Sequence, residues 1–540
     1  MYGPFLIAHI HNSANPLLFG DDARQWIVPF FVSDYITEYY KSALFPIGYT
    51  AFYRALALVA DPTTVSKVLP YPLLLAVLVA VWAAASRLGG LAAAFSGVAL
   101  CLSSGVFLDW TAGGTPRTFA FAFIGAAAVA LVYGQTLWLA AIVVISAALY
   151  PTITVITGLA LVLETLVLPA RHRGITWQWS FKRRLGLVTI AAAGSVLLLT
   201  PMLRVKAYGQ QLTQADTVAY PEFGPGGKYG EEDRPPFRSF FTELRLTTRE
   251  MLNGAGRPWS YRVHLRAEPW APQLDLAVLA LIVLGFASPG LQNSPARRLL
   301  MLVVAMVAGH TAAVMFAPYL YLPQRYAIYP IPILIAIESP VAAGALPTLF
   351  HQLKRFWWVR PLVTLSMTGA CLLLLGGRGS ERTGLNVDWR QESQLFRFLA
   401  GLPDTALIAG WSPKEIIDSV PYITRRSAFL TYETHNAFHT GYLDEMRRRM
   451  RALVDAVFAT NTAPLLQLRD HWGVTHLIVD LQHYQSATPP TYFKPFDDWI
   501  RVALERGREA GFEVPRQIKT AKVFSHGSLV VLDLRQLSVQ

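Results

Sequence analysis

About ten hydrophobic stretches fill the region from Val68 to Gly376, and the connections between them alternate sharply in charge. The stretches cover roughly 68–85, 91–107, 117–133, 137–150, 153–168, 185–203, 274–287, 299–317, 327–345 and 359–376. Apolar segments of this kind are read as membrane spans. A bilayer core wants ~20 residues, so the shorter ones need tilt or burial within a bundle. Four connections carry basic residues and no acid: Arg87; Arg171, Arg173, Lys182, Arg183 and Arg184; Arg297 and Arg298; Lys354, Arg355 and Arg360. Counted span by span, all four fall on one face, and an excess of Lys and Arg marks that face as cytoplasmic.

The opposite face then receives the N-terminal segment with Asp21 and Asp22, the short loop Asp109–Pro116, the long loop Arg204–Gln273 and the loop Tyr319–Arg325. It also receives the polar tail from Arg378 to Gln540. The expected fold class is a membrane all-α polytopic bundle of about ten spans, followed by a small soluble α/β domain. The expected organisation is an external segment 1–67, a transmembrane domain 68–376 with the large external loop 204–273, and an external domain 377–540. An outward N-terminus without a basic leader further suggests that a first span precedes Met1.

The net charge of +12 does not point to nucleic acid. The tail holds 20 Lys and Arg against 18 Asp and Glu, so the excess lies in the cytoplasmic loops, where it orients the chain and favours anionic headgroups. No basic patch interleaved with aromatics appears. Both cysteines, Cys101 and Cys371, fall inside expected spans, which argues against disulfides and cysteine metal sites.

Residues 25–60 interleave aromatics with polar residues and read as two interfacial helices. The middle of the long loop, YPEFGPGGKYGEEDRPP, reads as irregular coil, and SFFTELRLTTREML after it as another interfacial helix. In the tail, the apolar runs 405–410, 427–432, 475–481 and 528–534 have strand length. Helical stretches Pro413–Ser419, Asp444–Ala459, Ala463–Trp472 and Phe496–Ala510 separate them, which implies a small, largely parallel sheet. GWSPKE after the first run is not a dinucleotide fingerprint.

Three outer-face constellations could carry chemistry. NPLLFGDDARQW places Asp21 and Asp22 before an interfacial helix, where a carboxylate can serve as a turn and helix cap or can deprotonate an acceptor hydroxyl. DWTAGGTPRTFAF, beginning at Asp109, puts Arg117 at the start of a span. An outer-face arginine either snorkels or holds a partner, and a lipid-linked phosphate suits a guanidinium fork. APYLYLPQRYAIYP presents Arg325 and Tyr326 at the outer end of another span, among tyrosines that also suit an aromatic belt. His310 lies mid-span among small residues, where a helix-packing hydrogen bond is the commoner role. Asp275 and Glu338 are expected near span ends, facing water. His435 and His439 are four residues apart, a spacing zinc can use on a helix, but without an HExxH pattern.

The order NPLLFGDD, GGTPR, LPQRY, followed by a tail containing LRDHWGVTHLIVD, resembles the GT-C superfamily of integral-membrane glycosyltransferases. Those enzymes use polyprenyl-phosphate-linked sugars. The resemblance implies a base in the first external loop, at Asp21 or Asp22, and phosphate-handling arginines at Arg117 and Arg325. Asp109 and Tyr326 join the expected substrate-binding set. The family's first span is absent here, and so is a WWDYG-like motif, so transfer to an asparagine sequon is not implied.

The expected activity is an inverting transfer from a polyprenyl-phosphate-type donor to a glycan, lipid or protein acceptor on the non-cytoplasmic face of the inner (plasma) membrane. A divalent metal, Mg or Mn, would assist the leaving phosphate. The rival readings are a transporter or lipid flippase, which should show internal repeats and mid-membrane charges, and a noncatalytic cell-envelope assembly protein.

Overall fold

A computed structural model describes residues 18–19, 34–111, 113–167, 181–229, 236–252, 295–316, 320, 322–345, 358–376, 387–411, 414–436, 438–486 and 490–537. Asp21, Asp22, Asp275 and the expected span 274–287 lie outside them. The chain is mostly helical with a small sheet, and it divides into two compact units that interleave along the sequence. One comprises Met1–Asn15, Phe45–Arg204 and Pro235–Asn386; the other comprises Pro16–Leu44, Val205–Arg234 and Val387–Gln540.

The first unit is a helical bundle. Among the described residues, five helices are long and apolar enough to cross a membrane: Pro62–Leu102, Pro116–Tyr133, Phe181–Leu203, Pro295–Met315 and Arg325–Ala345. Thr136–Leu149 and Pro151–Leu166 are apolar but shorter. The stretches expected at 68–85 and 91–107 are both found in the element Pro70–Ser103, which Gly90 interrupts with φ +78°, ψ −171°. That backbone breaks the helical path, which glycine alone tolerates without strain. The Gly105–Thr111 helix follows separately.

Within the bundle Arg298 lies 3.7 Å from Glu164 and donates to the Leu131 carbonyl.

Two expectations in this unit are corrected. Glu338 does not face water: it is fully buried in the Pro330–Ala345 helix, and neither carboxylate oxygen has a hydrogen-bond partner among the described residues. SFFTELRLTTREML is helical, within Pro236–Leu252, but it is not merely a surface helix. Phe240, Thr247, Thr248 and Met251 are buried, and Ser239 and Phe240 contact His310 of the Leu299–Met315 helix.

The second unit is built on a five-stranded sheet. A short antiparallel pair, β1 (Leu18–Phe19) and β2 (Val387–Asp388), precedes it. The main sheet contains β3 (Leu407–Trp411), β4 (Ser427–Ala428), β5 (His476–Asp480), β6 (Lys522–His526) and β7 (Leu529–Asp533) in the order β4-β3-β5-β7-β6. β4, β3 and β5 run parallel, whereas β7 is antiparallel to β5 and to β6. The sheet is therefore mixed rather than largely parallel. The cause is a hairpin after β6, where Gly527 at φ +58° leaves no room for a crossover helix. β3, β5 and β7 are buried along nearly their whole length, as their apolar runs demand. Trp389, Phe396, Ile408, Ile417, Ile478 and Val531 form part of one apolar cluster beside them.

The segment Tyr35–Leu44 is a further correction. Instead of presenting an aromatic face to an interface, Tyr39 and Tyr40 are buried within this second unit. Tyr39 stacks on Tyr442 at 3.6 Å and its hydroxyl meets His439 Nδ1 at 3.0 Å. Asp34 caps the Tyr35–Tyr39 helix by accepting from the Thr37 N–H at 2.7 Å.

Candidate functional site

The Arg117 loop owes its shape to two glycines. Gly113 and Gly114 take φ +90° and +68°, a region that penalises any side chain. The Gly114 carbonyl accepts hydrogen bonds from Tyr49 Oη at 2.9 Å and Tyr53 Oη at 2.7 Å, both fully buried on the Ile47–Leu56 helix. A Cβ at Gly114 would stand 2.2 Å from Tyr53 Oη and 2.7 Å from Ser66 Cα. Pro116 then opens a short 3-10 turn, Pro116–Phe119, and this delivers Arg117 into the bundle, 6% exposed. Its guanidinium lies over the Trp110 ring, 4.9 Å from the centroid, a cation–π geometry.

Arg325 arrives from a different connection and meets the same aromatic group. Its Nη1 donates to Tyr150 Oη at 3.2 Å and to Tyr329 Oη at 3.3 Å. The Tyr329 ring is edge-on to Tyr150 at 5.8 Å, to Phe121 at 5.5 Å and to Trp110 at 5.9 Å. Tyr329 is fully buried. Two cations from connections over two hundred residues apart thus converge on one phenol–indole cluster.

The turn that carries Arg325 is held from behind. His310 Nδ1 is 3.0 Å from the Pro323 carbonyl, and its Nε2 is 3.3 Å from Ser239 Oγ, so this histidine does pack helices together. Tyr326, 2% exposed, donates to the Leu320 carbonyl at 3.0 Å. Its ring covers Gly309, where a Cβ would approach within 2.9 Å. Tyr326 is engaged in this packing, next to Arg325 in sequence. Asp109 belongs to the Gly105–Thr111 helix, but its side chain is outside the described residues.

Trp110 and Tyr150 were not singled out from the sequence, and Tyr329 was read there only as one of several tyrosines suited to an aromatic belt. A signal existed for Tyr150: the span count that places Arg117 and Arg325 on one face places the Tyr150–Pro151 junction there too.

The second unit contains a separate charged constellation. Glu222, fully buried, takes a bidentate pair of bonds from Arg447, Nε at 2.8 Å and Nη2 at 2.5 Å. His435 Nε2 stands 3.6 Å from the same carboxylate, and Phe493 and Phe496 meet its ring edge-on. Burial opposes ionisation of Glu222, but His435 and the Arg447 guanidinium outweigh it and hold the carboxyl at about 2. Burial lowers His435 to about 4, against the opposing pull of Glu222. The Gly/Pro-rich loop is therefore anchored: Tyr229 donates to the His435 carbonyl at 3.2 Å and to Asn436 Oδ1 at 2.9 Å. The sequence showed Glu222 only as one acid in a coil.

His435 and His439 face different partners, Glu222 and Tyr39. Among the described residues, no group of three or more His, Cys, Asp or Glu could hold a metal ion.

No protein-family model and no curated protein matches the chain. The fold is similar to solved structures. ArnT from Cupriavidus metallidurans bound to undecaprenyl phosphate is 14% identical, with 99% of each chain covered and a TM-score of 0.49. The same protein in the apo state is 13% identical, covering 99% of this chain and 97% of that one, with a TM-score of 0.49. The Archaeoglobus fulgidus oligosaccharyltransferase in complex with Zn and sulfate is 11% identical, covering 89% and 68%, with a TM-score of 0.46.

Proposed function

We propose that the chain is a GT-C-type membrane glycosyltransferase. It moves a sugar from a polyprenyl-phosphate-type donor to an acceptor on the non-cytoplasmic face of the inner membrane. The observation that carries the reading is the convergence of Arg117 and Arg325 on the Trp110–Tyr150–Tyr329 cluster. Neutral aromatic walls with two cations suit the boundary between lipid and water, where a phosphate on an isoprenoid must be held. Guanidinium forks can receive its oxygens in pairs.

In the transfer, the acceptor hydroxyl oxygen forms a bond to the sugar's anomeric carbon as the bond from that carbon to the donor phosphate oxygen breaks. The bonding electron pair leaves on the phosphate, which Arg117 and Arg325 stabilise more strongly as its charge grows. The hydroxyl proton passes to Asp21 or Asp22, the general base in this reading. A divalent metal, Mg or Mn, held by Asp21 and Asp22 would offset the charge that grows on the leaving phosphate. In this reading the chain crosses the membrane about ten times and its α/β domain is exposed to the non-cytoplasmic compartment.

Asp21→Asn and Asp22→Asn, tested singly and together after membrane insertion is confirmed, address the base directly. Loss of one carboxylate is expected to slow sugar transfer by roughly two to four orders of magnitude. Near-normal transfer in the double variant would remove this loop from the chemistry.

One observation favours a transporter instead. Glu338 is a fully buried carboxylate without a hydrogen-bond partner in a membrane-length helix, and such residues mark proton or ion paths in transporters. A Glu338→Gln variant that keeps full sugar transfer would leave the enzyme reading standing alone.

A further inference from the structure

The second unit contains a pocket of about 160 Å³ that the proposed transfer does not use. Its lining includes Trp411 at the carboxyl end of β3, Thr431 and Tyr432 shortly beyond β4, and His483 shortly beyond β5. These three strands are parallel, and the chain leaves β3 for β4 on one side, then crosses to β5 on the other. The order of the sheet reverses there. Crevices at the carboxyl ends of strands, at such a reversal, are where open α/β sheets take their ligands.

The cavity's dimensions and lining narrow the class of ligand. Its volume matches that of a cavity known to admit one benzene ring, so a single six-membered ring fits. Trp411, Tyr432 and Tyr492 form an aromatic wall, with Tyr492 5.6 Å from Trp411 and 5.3 Å from Tyr432. Met450 supplies part of the aliphatic side. Against these stand the polar side chains of Thr431, Thr491 and His483; the His483 imidazole meets the Trp411 backbone, while its buried Nδ1 has no hydrogen-bond partner among the described residues. A plain aromatic ring would leave that nitrogen unpaired and shielded from water. A ring with apolar C–H faces and hydroxyls around its edge would stack on the wall and satisfy the nitrogen.

We propose that this cavity binds one pyranose residue, its faces against Trp411, Tyr432 and Tyr492 and a hydroxyl on His483 Nδ1. The pocket stands on its own geometry. That the pyranose belongs to an acceptor glycan is a deepening that rests on the transferase reading.

The test is saturation-transfer NMR on the full chain in nanodiscs, with free glucose, galactose, mannose and N-acetylglucosamine, and with phenol as the aromatic control. No donor lipid is present, so the result does not depend on catalysis. At least one pyranose should receive saturation at its ring protons. Met450→Trp, which fills the cavity, should abolish the signal, and His483→Ala should weaken it roughly tenfold, as loss of one hydrogen bond to a buried group requires. If the bulky variant does not fold, Tyr492→Leu serves in its place, removing one stacking face. Binding of phenol without any pyranose, or pyranose signals unchanged in Met450→Trp, would overturn the proposal. A transferase that is active yet binds no free sugar would overturn this pocket alone, and sugar binding by an inactive protein would leave it intact.

Discussion

The Glu222–Arg447 pair gives a sharp quantitative prediction. Glu222 is fully buried, while the Arg447 side chain keeps 23% of its exposure. Replacing Arg447 with Met leaves a carboxylate inside the protein with only His435 beside it, 3.6 Å away. Breaking a buried pair from one side costs about 3–5 kcal/mol. Because Arg447 is partly solvated, the lower end of that range applies. The consequence should be local, since Glu222 ties the 221–229 turn to the Thr440–Val457 helix through this contact. Hydrogen exchange of the 213–229 segment in the full chain reads it directly. A loss of about 3 kcal/mol of opening free energy accelerates exchange roughly a hundredfold. Removing both charges, as Glu222→Leu with Arg447→Met, should restore most of the protection, since an apolar pair avoids the unpaired carboxylate. Exchange within about threefold of wild type in Arg447→Met would refute the reasoning.

Further outcomes follow from single positions. Gly114→Ala should displace the loop that carries Arg117 and reduce donor use far more than Tyr53→Phe, because the new Cβ meets both Tyr53 Oη and Ser66 backbone; parallel transfer assays compare them. His435 is held at about 4 against an ordinary value of 6.5, so the unfolded chain binds a proton that the folded one refuses across that window. Stability is full above pH 6.5, falls as pH drops towards 4 by on the order of 3 kcal/mol, and exchange of 433–438 at matched intrinsic rates should follow this fall. Glu222, depressed to about 2, adds its own loss between about pH 4.5 and 2. Cysteine labelling should find positions 227 and 525 accessible from outside and position 173 from the cytoplasm; the reverse pattern would invert the proposed topology.

Much of the architecture was legible because its signals are local. Continuous apolar runs located β3, β5 and β7, each within two residues of its observed bounds. β6 escaped because it is an edge strand: Lys522, Ser525 and His526 interrupt any apolar run. Tyr35, Tyr39 and Tyr40 carried an ambiguous pattern, since interleaved aromatics suit a membrane interface and a protein core equally. Only the tertiary partner Tyr442 decides between them. For Arg117 and Arg325 the positive-inside argument made an outer-face arginine anomalous, and that anomaly singled them out as candidates. Their shared phenol, Tyr329, is a matter of packing between helices distant in sequence, which spacing does not encode. Glu338 was misplaced for a similar reason. Its position four residues after Leu334 gives no sign that the helix is covered on every side.

The central claim, that Arg117 and Arg325 act together on a donor phosphate, is tested most directly by sugar transfer from a polyprenyl-phosphate-linked donor. The chain is reconstituted in liposomes as wild type, Arg117→Ala, Arg325→Ala and the corresponding Lys variants. Each Ala variant is predicted to lose about two to three orders of magnitude in kcat, with partial activity in the Lys variants, which keep the charge but not the fork. Transfer at the wild-type rate in both Ala variants would contradict the account and leave these arginines as interface anchors.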